Sequence, residues 1–129
     1  MGKAEQIQHW VKTAELDWAT AEDLLKLKRF LHTLFFFHLV IEKLLKAHWV
    51  KDNPGDFPPR SHDLEFIYGI TEVEFTAEDV DELRALNYWN LEGRYPDYLN
   101  KINKQADEKY TLAKYENVKR LRRCLLESL

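Results

Sequence analysis

Three groups of residues in this 129-residue chain have types and spacing that can do chemistry. His38, Glu42 and Lys46 stand at i, i+4 and i+8, which sets them in one line on a helical face. Their surroundings are apolar, and a carboxylate taken out of water demands a partner. His38 and Glu42 therefore read as a structural polar network, with Lys46 as a cation that can also reach an anionic ligand. Arg60-Ser61-His62-Asp63-Leu64 follows two prolines and opens a helix. The amides of a helix start can hold an anion, with Arg60 and His62 as added donors, or be capped in the ordinary way. Asn87, Asn90 and Arg94 recur at i, i+3 and i+7 and run into Tyr95-Pro96-Asp97-Tyr98. Arginine offers a planar fork of donors suited to phosphate, and tyrosine rings offer faces on which a base stacks.

Several chemistries are excluded. No glycine-rich phosphate loop, GxSxG or HExxH occurs. A di-iron bundle needs Glu three residues before His, but Gln6, Arg29, Phe35, Leu45 and Pro59 stand there, so neither a metal nor another cofactor is expected. A net charge of −3 lacks the bulk footprint of a nucleic-acid binder. The charge is uneven, however. Glu65 to Glu92 carries eight acids and one base, whereas Gly93 to Leu129 carries five acids and nine bases. The two blocks can complement each other within the fold or across a dimer, or present an acidic face to a basic protein or a basic face to RNA. The single cysteine, Cys124, lies among leucines and is expected to be a packed thiol. With no signal-peptide core and no apolar run of about 20 residues, the expected location is the cytoplasm.

The elements that position these groups are helical throughout. Ile7, Trp10, Val11, Ala14, Trp18, Ala21 and Leu25 form one stripe on a first helix over Glu5 to Leu27, with Asp17 at its rim, placed to pair with a base on a neighbouring helix. Phe30 to about Lys51 is apolar on nearly every side, so it must be covered on more than one side. It is either the centre of a bundle or a helix shared with a second subunit. Pro54-Gly55 ends it. A short helix is expected from Leu64 to about Gly69, capped by Ser61 or Asp63. A fourth runs from Thr76, with Asp79 completing its capping box, to Gly93, and a fifth from Asp107 to Leu126 with Tyr110, Ala113, Val118, Leu121 and Leu125 inward. The fold class is all-α: one domain over residues 1–129, an up-and-down four-helix bundle with an additional short helix.

The ordered set Trp10, Ala14, Asp17 and Ala21, then FHLVIEKLLKA (Phe37–Ala47), His62-Asp63-Leu64, Leu86-Asn87 and Arg94-Tyr95-Pro96-Asp97 resembles the HEPN domain (higher eukaryotes and prokaryotes nucleotide-binding). The resemblance spans essentially the whole chain. It implies a homodimer through the central helix, nucleotide binding, and action beside a small nucleotidyltransferase, often in a toxin–antitoxin-like pair. Many HEPN proteins are metal-independent ribonucleases with Arg, four to six residues, then His. Here Arg94 holds the arginine position, but residues 95–105 contain no histidine. The resemblance therefore implies a non-catalytic subunit binding nucleotide or phosphate through Arg94, Tyr95, Asp97, Asn90, His62 and Lys46. The alternatives are an RNA endonuclease with an atypical site around Arg94 and His62, and a structural interaction module whose acidic block docks a basic partner.

Overall fold

A helix crowded with apolar side chains all round needs neighbours all round, and α2 (Phe30–Asp52) has them within the chain. In the computed structural model it packs against each of the other helices: α1 (Lys3–Lys26), α3 (Leu64–Tyr68), α4 (Ala77–Arg94) and α5 (Glu108–Glu127). Fourteen of its 23 residues are buried, which makes it the axis of the bundle, while Phe35, Phe36 and Leu39 stay half-buried. The structure describes residues 2–94 and 104–129, the side chains of 91–94 excepted. Among the described residues there are five helices and no strand, an up-and-down bundle of four long helices with the short α3 inserted.

The core gathers Ala14, Trp18 and Ala21 of α1, Leu34, Phe37, Ile41 and Leu45 of α2, Leu64 and Ile67 of α3, Leu83, Leu86 and Trp89 of α4, and Val118, Leu121 and Leu125 of α5. Each large side chain so buried contributes about 1.5–3 kcal/mol. Two inward positions escape the simple stripes. Trp89 is 1% exposed, and its indole N–H donates to Tyr110 Oη at 2.9 Å. Tyr115, not Ala113, lies on the inner side of α5; it stacks on Trp18 and on Phe37, while Ala113 is exposed. Its hydroxyl donates to Glu22 at 2.8 Å, and that bond together with burial raises the phenol to about 12. Cys124 is exposed, which corrects the packed-thiol expectation: on α5 it lies between the inward Leu121 and Leu125 and faces solvent.

The polar residues tie the helices together. Asp17 of α1 pairs with Lys43 of α2. The acidic block of α4 meets the basic α5 inside the fold, through Lys114–Glu82 at 3.0 Å and Arg120–Asp79 at 2.8 Å. Asp79 is also in a capping box, accepting from Thr76 N–H while its own N–H donates to Thr76 Oγ1. Burial pushes the Asp79 carboxyl upward, but the hydrogen bonds from Arg120 and Thr76 outweigh it and hold it below the usual range. At the end of α2, Asn53 is extended, as the residue before a proline must be. Lys3 Nζ donates there to the carbonyls of Val50, Asn53 and Gly55 at 2.6, 2.7 and 2.9 Å, so the start of α1 fastens the start of the proline loop.

Candidate functional site

The i, i+4, i+8 line on α2 is buried, and the turn before α3 completes it. Glu42 is 3% exposed and Lys46 6%. Lys46 Nζ donates to Glu42 Oε2 at 3.2 Å. The other carboxylate oxygen, Oε1, accepts from Nδ1 of His62 at 2.8 Å. His38, fully buried, donates from Nε2 to the backbone carbonyl of His62 at 2.8 Å, so the histidine before α3 is held by both its backbone and its ring. That bond sets the tautomer: the proton of His38 sits on Nε2, and Nδ1 faces Glu42 Oε1 at 3.8 Å with no hydrogen bond of its own among the described residues. Burial lowers the His38 pKa despite the pull of the Glu42 charge, which keeps the ring neutral at pH 7.

The start of α3 is closed as an anion site. Asp63 is the N-cap, and its Oδ1 accepts from the N–H of Glu65 and Phe66. The Leu64 N–H donates to Asn87 Oδ1 at 2.9 Å, and Asn87 Nδ2 returns a bond to Asp63 Oδ1 at 3.0 Å. The Ile67 N–H goes to the Asp63 carbonyl. All four amides at this helix start are used, so ordinary capping holds and the amides are not available to a ligand. Asn87 is thus the clasp between α3 and α4.

His62 itself is not packed under the loop. Its side chain is 51% exposed, and it lines an open groove of about 280 Å³ with Asp63, Asn87 and Asn90. Since Nδ1–H is given to Glu42, the Nε2 edge is the one left for other partners. The register of α4 continues from Asn87 and Asn90 to Arg94, its last residue, at i+7 and i+4 from them. Of the six sequence-expected ligand residues, the structure brings His62 and Asn90 together at this groove. Lys46 is linked to His62 through Glu42 but lines a different cleft, on the side of α1. The side chain of Arg94, and Tyr95 and Asp97 entirely, lie outside the described residues. Among the described residues no group of three or more His, Cys, Asp or Glu side chains can hold a metal ion, and no helix is long and apolar enough to cross a membrane.

The comparisons with known proteins agree with this architecture. The family model described as HEPN domain matches residues 7–127. The chain belongs to the HEPN domain family. Among solved structures, this HEPN chain is similar to TT1696 from Thermus thermophilus, with a TM-score of 0.81 and 16% identity, over 96% of this chain and 98% of that one. At that identity the likeness speaks for the fold. Comparison with curated proteins finds no match. HEPN domains are associated with nucleotide binding or ribonuclease activity, the two chemistries against which the groove is read.

Proposed function

We propose that this HEPN domain is a binding subunit that holds a nucleotide or phosphate group in the groove between the turn before α3 and the C-terminal half of α4. The observation that carries the proposal is the His62 ring, fixed by a buried carboxylate and presented at the groove beside Asn90, on the α4 face that leads to Arg94. Arg94 holds phosphate, Tyr95 or Tyr98 stacks on the base, and Asp97 orients Arg94 or accepts from the ribose. Lys46 contributes through Glu42. The subunit works with a partner such as a minimal nucleotidyltransferase, in a toxin–antitoxin-like pair, and pairs with its own copy through the part of α2 where Phe35, Phe36 and Leu39 are only half-buried.

The test is Arg94→Ala. Nucleotide binding at the groove, read from the shift of the His62 ring resonances, is lost while the melting temperature moves by no more than about 2 °C, the scale of a surface substitution. A collapse of melting temperature overturns the assignment of Arg94 to a ligand. Native mass spectrometry of protein purified gently from its own cells addresses the assembly: a dimer carrying a nucleotide-sized mass or a nucleotidyltransferase supports it, and a bare monomer counts against it.

One observation favours the ribonuclease alternative. A histidine whose Nδ1–H is held by a buried carboxylate presents Nε2 as a proton acceptor, the orientation a general base requires. In that reading Nε2 takes the proton of an RNA 2′-hydroxyl, the 2′-oxygen attacks the adjacent phosphorus, and the 5′-oxygen leaves with the proton returned by His62. Metal-free cleavage of single-stranded RNA that vanishes in His62→Ala supports it; no cleavage at high protein concentration removes it. The interaction-module alternative is less favoured, because Asp79 and Glu82 of the acidic block are already paired with α5.

A further inference from the structure

A second cleft lies on the α1 side of the same charged network, away from the groove. It encloses about 280 Å³ between the first turns of α1, Lys46 of α2 and the proline loop, and is lined by Gln6, Trp10, Lys46, Phe57, Arg60 and the two prolines 58 and 59. Its polar groups are under-used. Gln6 is 6% exposed, yet its side-chain amide has no hydrogen bond among the described residues. The indole N–H of Trp10 is buried and also without a partner among them. Arg60 is exposed and has neither an ion pair nor a hydrogen bond among them. Lys46 gives one of its three N–H groups to Glu42 and sits 5.4 Å from the centre of the Trp10 ring. Of these groups the Trp10 N–H is the one that is buried and unmet, and Lys46 and Arg60 add two cations, so the lining is rich in donors.

The walls say what kind of molecule. Trp10 and Phe57 are aromatic, and Phe57 is 76% exposed although it directly precedes two prolines that fix the backbone beside it. An exposed phenylalanine on a stiff loop is a platform that loses little freedom on binding. Guanidinium, ammonium and indole N–H can only donate. The cleft is also pre-formed: Lys3 pins the loop at its start, while His38 and Glu42 pin it at His62. Its size suits one ring system and one anionic group rather than a long ligand.

We propose that this cleft is a binding site for a planar aromatic anion, the ring lying against Trp10 and Phe57 and the anionic group held by Arg60 and Lys46. The anion is a phosphate or a carboxylate, carried by a nucleoside monophosphate or by an aromatic acid. The site opens on the α1 side, away from the groove at His62, and is joined to it only through the Lys46–Glu42–His62 chain of contacts.

The experiment is calorimetric titration of the full chain with adenosine 5′-monophosphate, 4-hydroxybenzoate, adenosine and inorganic phosphate. One of the two ring-bearing anions binds, and identifies the source; adenosine and phosphate bind about tenfold more weakly or worse. Phe57→Ala and Arg60→Ala each weaken the binding about tenfold with the melting temperature unchanged, since both side chains are exposed. Arg94→Ala removes whatever nucleotide the groove holds and leaves the cleft's binding intact, which separates the two sites. The proposal is overturned if neither ring-bearing anion binds at about 1 mM, if inorganic phosphate binds as tightly as they do, or if the two cleft variants bind as the parent does. Binding lost in Arg94→Ala but kept in both cleft variants assigns the ligand to the groove instead and equally removes the proposal.

Discussion

Glu42 and His62 stand twenty positions apart and meet at 2.8 Å, joining a carboxylate 4% exposed to an imidazole 51% exposed. The contact passes through the boundary of the bundle: one partner belongs to the interior, the other to solvent. The two sides of it are unequal in energy, and substitution reads the difference. Glu42→Gln leaves the buried Lys46 ammonium without its carboxylate, a loss of about 3–5 kcal/mol for breaking a buried pair. His62→Ala removes one hydrogen bond at a half-exposed position and costs about 1 kcal/mol. Urea unfolding of both variants measures this. Equal losses would show that the histidine, not the lysine, is the main partner of Glu42.

Two buried histidines give the fold an acid limit. Burial lowers the pKa of His38 and of His48, whose Nε2–H donates to the Leu125 carbonyl at 2.8 Å. Both are therefore protonated more readily in the unfolded chain, at about the ordinary histidine value of 6.5, than in the folded one. Stability from these groups is fully present above pH 6.5 and falls as pH drops through the folded-state values. The melting temperature is expected to fall between about pH 7 and pH 5, and His48→Gln to show a shallower fall. A flat profile over that window would mean that the rings protonate in place.

The helix ends were legible because they depend on local chemistry. Asp63 and Asp107 accept from amides two or three residues on, Thr76 and Asp79 exchange bonds, and Pro54 stops α2 after an extended Asn53. The Glu42–Lys46 pair was legible for the same reason, since i, i+4 spacing puts the two in reach, and so was the need of Asp17 for a base on a neighbouring helix. Lys43 as that base was not legible, because by its spacing it would reach solvent. What joined them was not. That His62 would reach Glu42, or Asn87 would clasp Leu64, depends on how the 53–62 segment returns across α2, and no periodicity encodes that path. The unmet indole N–H of Trp10 was hidden in the opposite way, because a stripe position looks the same whether its neighbour is another helix or a cleft. Cys124 shows the limit of reading by neighbours, since leucines on either side of it in sequence lie on a different face of the helix.

The turn between α1 and α2 stores a backbone strain that can be relieved. Lys28 has φ of 59°, in the left-handed region that a side chain disfavours. It is exposed, and its 3.9 Å approach to Glu108 lies on the surface, where such pairs contribute little. Lys28→Gly is expected to stabilise the protein by about 1 kcal/mol, read as a higher urea midpoint with the same slope. A destabilised variant would show that the entropy glycine adds to the unfolded chain outweighs the strain it removes.

Lys3 sets how firmly the proline loop is held. Its ammonium bonds three carbonyls at the end of α2 and lies 3.7 Å from Asp56, so it also opposes the negative end of that helix. With the side chain 39% exposed, Lys3→Met is expected to cost about 1–2 kcal/mol, less than three fully buried charged bonds would. The loss should be local. Hydrogen exchange is expected to quicken at the amides of residues 53–62 and near the start of α1, while those of α5 keep their protection relative to global unfolding. Uniformly faster exchange would mean that the clasp stabilises the bundle as a whole. The loop and the first turn of α1 would then open only with the rest, and the cleft between them would be as rigid as the core.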